Sequence, residues 1–188
     1  MLTEVQKQIL ARVADMKKIP DGAVNIRSDG KKIYRHNSEH IRIEGKTDKD
    51  GIDIRIDAGT KNESVYIPVV LTAGMSDMVY NDFFVGAGAD VTIVAGCGIH
   101  NDSCDESRHD GIHTFYLEKG ARVHYLETHY GEGAGAGSRV LNPQTIVYLG
   151  EQASMTMDTA QIGGVDDTKR YTKVVCQGAG SEIIITEK

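Results

Sequence analysis

Two cysteines and three histidines fall within one short stretch, "CGIHNDSCDESRHDGIH", from Cys97 to His113. Their order is Cys97-x2-His100-x3-Cys104-x4-His109-x3-His113. Thiolate and imidazole are the donors that zinc, iron and iron–sulfur clusters accept. A loop folding back on itself would bring four of these five to one ion. Asp102, Asp105, Glu106 and Asp110 supply carboxylates that orient imidazoles or simply solvate the loop. The stretch holds no C-x-x-C pair, so it is not a standard zinc ribbon. A plainer alternative stays open. Cys97 would end the "VTIVAGC" strand as a small apolar residue, Asn101–Ser103 would form a turn, and His113 would face solvent or a strand neighbour.

Further along, Glu127 alternates with Tyr125 and His129, so the three share one side of a strand. Glu127 and His129 are therefore auxiliary ligand candidates, and His124 lies on the same unit. Cys176 reads as a packing residue. "GEGAGAG", Gly131 to Gly137, lacks the helix that a phosphate-binding loop must open, because Pro143 follows too soon. It reads as a flexible loop. Ser103 near His100 and His109 lacks the strained turn of a nucleophile elbow.

The elements that must hold these residues are mostly strands. Glycine is abundant at 21 and proline scarce at 3, in a chain of 188 residues that is 40% hydrophobic and 26% charged. That composition suits short strands joined by tight turns. A net charge of −6 argues against non-specific binding to nucleic acid, which needs cationic neutralisation of phosphate. No apolar run is long enough to span a membrane. Few cysteines and an N-terminus without a secretory pattern point to a reducing, cytoplasmic setting.

Residues 1–18 predict an amphipathic helix, with Leu2, Val5, Ile9, Leu10, Val13 and Met16 on one stripe, Thr3 and Gln6 as a capping box, and Pro20 as the stop. It would cover one end of the body or dock a partner. Residues 1–40 thus form a helix and a connecting segment, and 41–188 a β core. In that core "FFVGAGADVTIVA", "FYLEKGARVHYLE" and "VYLGEQASMTMDT" repeat one pattern. Val85, Leu117 and Leu149 head it at a constant 32-residue step, Ala89, Ala121 and Ala153 follow, then Val91, Val123 and Met155. "VVCQGAGSEIIIT" is a fourth copy with shifted spacing. A fixed period marks stacked coils, so a parallel β-helix is predicted; an antiparallel sandwich competes. The stretches 96–111, 130–142 and 161–170 read as polar loops between copies, with the ligand cluster hanging in the first.

Several segments carry a family resemblance: "KNESVYIPV", "MVYNDFFVGAGADVTIVAGCGIHN", "RHDGIHTFYLEKGARVHYLETHYGEG", "RVLNPQTIVYLGE" and "GVDDTKR". In this order they resemble the SufB/SufD family of iron–sulfur cluster assembly proteins, in particular its short SufD-like members. The resemblance implies a mainly β fold, a right-handed parallel β-helix with an N-terminal α-helix. It implies pairing with a second SufB/SufD-type chain, as a homodimer or with a relative, and binding of a SufC-like ATPase that supplies nucleotide hydrolysis. No "GxxxxGK[ST]" loop occurs in this chain, in keeping with that division of labour. Family members usually continue beyond the equivalent of "EIIITEK", so this chain corresponds to their N-terminal part, and the late functional residues cannot be carried over.

The expected function is a scaffold or accessory component of SUF-type assembly, not an enzyme. Cys97, His100 and Cys104 would hold the cluster, or iron or zinc transiently, with His109 and His113 completing the metal set. The alternative is a small cupin-like β-barrel metalloenzyme, although no H-x-H pair marks it. A carbohydrate-handling β-helix would want exposed aromatics, and tryptophan is absent.

Overall fold

The computed structural model describes residues 2–188. A single helix, α1 (Glu4–Ala14), precedes fifteen strands. β1 (Ala23–Ser28) and β2 (Lys31–His36) form a hairpin, as do β3 (Ile41–Gly45) and β4 (Gly51–Ile56). There follow β5 (Lys61–Leu71), β6 (Ser76–Val85), β7 (Asp90–His100), β8 (Ser107–Leu117) and β9 (Arg122–Glu132). The last turns hold β10 (Arg139–Leu141), β11 (Gln144–Leu149), β12 (Ser154–Gly163), β13 (Asp167–Thr168), β14 (Tyr171–Cys176) and β15 (Glu182–Glu187).

From β4 onward the chain crosses back and forth between two sheets. One sheet runs β15-β12-β9-β7-β5-β1-β2; the other runs β13-β10-β8-β6-β4-β3, with β11 between β8 and β14. Every pairing between successive coils is parallel. The molecule is therefore a parallel β-helix, and the antiparallel sandwich and the cupin-like barrel are both overturned. Only the first two hairpins, at the N-terminal end, are antiparallel.

The 32-residue step is the register of the stack. Val85 pairs with Leu117 and Leu117 with Leu149; Val91 pairs with Val123 and Val123 with Met155. Ala89, Ala121 and Ala153 are fully buried at the corners. There each turn also bonds the next, as in Arg122 N–H to the Ala89 carbonyl and Ser154 N–H to the Ala121 carbonyl. Inside, Ile54, Phe83, Phe115, Val147 and Val174 stack as one ladder, with the two phenylalanine rings parallel at 4.2 Å. Outside, a second ladder runs Phe84–Tyr116–Tyr148, capped by the Arg55 guanidinium 4.5 Å above Phe84.

The helix is shorter than its stripe predicts. It starts at the Thr3–Gln6 capping box and ends when Asp15 turns left-handed (φ 50°), well before Pro20. Met16 N–H then bonds the Leu10 carbonyl and its side chain folds back among Ile9, Leu10 and Val13. Rather than covering an end, α1 lies on the outer face of β5, β7 and β9. Gly98 permits that approach: a Cβ there would stand 2.1 Å from Ile9 Cγ2. The segment read as a connector is also more than that. Asp29 and Gly30, both at positive φ, turn the β1–β2 hairpin, and β1 joins the sheet beside β5.

Candidate functional site

The first polar loop is much shorter than its sequence implies. Cys97 and His100 lie on β7, His109 and His113 on β8, and only residues 101–106 separate those strands. Of the five predicted ligands, Cys104 alone sits on that loop, exposed. His100 is tied off: its Nδ1 meets Glu132 at 3.0 Å and its Nε2 meets Asp102 at 2.9 Å. Partial burial opposes protonation there, but the two carboxylates outweigh it and raise the pKa. With both nitrogens engaged, His100 offers no lone pair. The sequence-predicted set therefore splits, and His100 and Cys104 leave it.

The other three turn inward. Strand alternation points Cys97, His109 and His113 into the lumen, together with Glu127 and His129. These five line one small cavity of about 20 Å³, room for about one water. Register explains the convergence. Cys97 pairs with His129 and Ala95 with Glu127 on one sheet; Asp77 pairs with His109 and Asn81 with His113 on the other. Gly111 keeps a space between the two lumenal histidines of β8. A Cβ there would lie 3.2 Å from His109 Nε2 and 3.6 Å from His113 Nε2.

Most of the lumenal polar groups have fixed partners. Arg27 donates from Nε and a terminal nitrogen to Asp77, at 3.0 and 2.7 Å, and Asp77 accepts from His109 Nδ1 at 3.2 Å. Burial alone would raise the Asp77 pKa, but His109 and Arg27 hold it well below the usual carboxylate range. A carboxylate on Nδ1 leaves the His109 Nε2 free to face Gly111, the arrangement that orients histidine ligands in metal sites.

A second chain crosses the lumen from sheet to sheet. Asn81 donates to His113 Nε2 at 3.2 Å, and His113 Nδ1 meets the Tyr125 hydroxyl at 2.8 Å. Tyr125 donates to Glu127 at 2.8 Å, and Arg170 donates to the other Glu127 oxygen at 2.8 Å. His129 Nε2 stands 3.7 Å from Glu127. Burial pushes the His113 pKa down to about 4, so the ring is neutral. Burial also depresses His129. For Glu127 burial works the other way, yet His129 and Arg170 outweigh it and hold the carboxyl down to about 2. Burial first, then the Asp77 and Glu127 charges, raise the Cys97 thiol well above its ordinary range.

These donors are of the right kinds for a soft or borderline cation: one thiol, three imidazoles and a carboxylate. As they stand they are not a finished centre. Among the described residues, no group of three or more His, Cys, Asp or Glu side chains is arranged to hold a metal ion. Glu127, an auxiliary candidate in the sequence, is instead the hub of the lumenal network.

Sequence reasoning missed Asp77, Asn81, Tyr125 as a bridge, Arg27 and Arg170. The signal for the first two was present, because Asp77 and Asn81 stand one 32-residue step before His109 and His113. "GEGAGAG" also has backbone hydrogen-bond partners. Gly135 N–H bonds the Asn101 carbonyl and Gly137 N–H the Ser103 carbonyl, so this arch stacks on the one before it. Compared with known proteins, the chain matches no family model, no curated protein and no solved structure. Among the described residues, no helix is long and apolar enough to cross a membrane.

Proposed function

We propose that this chain is a scaffold of the SufB/SufD kind, on which iron, zinc or a nascent iron–sulfur cluster is held for transfer and not chemically turned over. One observation carries the reading: Cys97, His109, His113, Glu127 and His129 line a single cavity inside a rigid stack of coils. The Cys97 thiol and the His109 and His129 imidazoles supply soft donors, Glu127 supplies charge, and His113 joins them only by giving up its bond to Asn81. Cys97 gives up its proton only when a cation is present, because burial, and after it the Asp77 and Glu127 carboxylates, opposes a bare thiolate. A separate SufC-like ATPase would provide energy, and a second chain of the same type would pair with this one.

The test is metal content after anaerobic purification and loading with Fe²⁺ or Zn²⁺. Wild type and Cys104→Ser should retain about one equivalent, while Cys97→Ser and His129→Ala should lose it. Equal metal in all four proteins removes the lumenal assignment. Co-purification with a SufC-like ATPase tests the assembly context separately.

A further inference from the structure

Glu127 is 3% exposed, and neither of its oxygens is free. Tyr125 occupies one and the Arg170 guanidinium the other. Arg170 enters the lumen from the segment between β13 and β14. It is also 3.5 Å, at Nε, from Glu187, whose side chain is 56% exposed. Register relates the two carboxylates. Glu127 pairs with Thr159, and Thr159 pairs with Glu187, so all three form one column on successive coils. Arg170 spans that column with a buried carboxylate at one end and a solvated one at the other.

The surroundings are incompletely satisfied with Arg170 in this position. Three buried polar atoms among the described residues have no hydrogen-bond partner: Thr145 Oγ1, Gln161 Nε2 and Thr172 Oγ1. They lie on the neighbouring rungs. Thr145 follows His113 and Thr172 follows Thr145; Gln161 follows His129. Buried polar groups normally find partners. Here the unpaired ones stand in register with His113 and His129 of the lumenal set.

We propose that Arg170 is a resident counter-ion which occupies the cation position at Glu127 and moves out along the column toward Glu187 when a metal cation loads. Either positive charge neutralises Glu127, and a cation that loads beside the oxygen held by Arg170 repels the guanidinium. The exchange leaves the buried carboxylate compensated at every stage and delivers the guanidinium to a carboxylate it already approaches. The proposal rests on the lumenal metal reading above, and concerns what controls loading of that site.

The experiment titrates wild type, Arg170→Gln and Glu187→Gln with Co²⁺ under anaerobic conditions, following the thiolate-to-metal band that Cys97→Ser abolishes. Arg170→Gln should bind at least about fivefold more tightly, and Glu187→Gln more weakly than wild type. In parallel, the Arg170 Nε–H resonance of wild type, assigned by its loss in Arg170→Lys, should shift on Zn²⁺ loading. Equal affinities with an unmoved resonance overturn the counter-ion role while leaving the metal site intact. No Cys97-dependent band in any protein, wild type included, overturns the metal reading and this proposal with it. Should Arg170→Gln fail to fold, the wild-type resonance alone decides.

Discussion

The two halves of the lumen are built on the same strands in the same register, yet they behave as different materials. Toward the corner after β6 and β8, the ladder Ile54–Phe83–Phe115–Val147 fills the interior with stacked apolar groups. Two to six residues earlier on those strands, the inward positions are Asp77, Asn81, His109 and His113. Facing them across the lumen are Glu127 and His129. Stacking of coils is supplied by the backbone ladders and is indifferent to which side chain points in. What differs is the cost of each rung. An apolar rung is stable by burial alone, whereas a polar one is stable only while every member of its network has a partner. Free choice of inward residue lets a solenoid carry a reactive interior at one place without altering its frame.

The largest test of that contrast is Phe115→Ala. The ring stacks on Phe83 at 4.2 Å and meets Tyr125 edge-on at 5.0 Å. Its loss should cost about 3–5 kcal/mol in urea unfolding, with metal uptake per folded molecule unchanged. A loss of metal in proportion to stability would show that the halves are not separable.

Next in size is the response to acid, in which the polar half takes part through its buried histidines and the apolar ladder does not. His113 is about 4 in the folded protein against 6.5 for an ordinary histidine. The unfolded chain therefore binds the extra proton first. Stability is intact above pH 6.5 and falls as pH drops toward 4, by roughly 3 kcal/mol. His129 acts in the same direction. Glu127, depressed to about 2, adds a further loss as pH falls below its ordinary value. Chemical denaturation from pH 8 to 4 should show this slope, and His113→Gln should flatten its upper part.

A smaller effect is expected on the outer ladder. Tyr116 stacks between Phe84 and Tyr148 at 5.2 and 5.3 Å but is 39% exposed. Tyr116→Ala should cost about 1 kcal/mol, well below its buried neighbour Phe115, by thermal or urea unfolding. Smallest of all is Cys104→Ser on the exposed loop, expected within about 0.5 kcal/mol of wild type. A large destabilisation there would mean that the short arch, and not the lumen, is the sensitive element.

Much of the frame was legible because it depends on residue class at a fixed step. Val85, Leu117 and Leu149 repeat as apolar heads, and the alanines after each turn are small because neighbouring corners touch. The Thr3–Gln6 capping box was likewise readable, being a local exchange of hydrogen bonds. The first hairpin was overlooked although "SDGK" between alternating segments is a strong turn signal. The ligand set divides for a different reason. Cys97, His100, Cys104, His109 and His113 are near one another along the chain, but proximity in sequence is not proximity in space. Strand alternation sends His100 to a carboxylate pair while Cys97 faces the lumen.

Alone, the amino-acid sequence determined that apolar residues recur at a helical stripe and then at a 32-residue step, which fixes a capped helix and favours stacked coils; that the coils run parallel is read from the strand pairings. It also determined the inventory of thiol, imidazole and carboxylate groups. Only the tertiary structure decided which of them meet. Groups such as Cys97 and His129, or Tyr125 and His113, come together across coils or across the lumen through backbone register and strand alternation. Those are properties of the whole stack, and no local spacing encodes them.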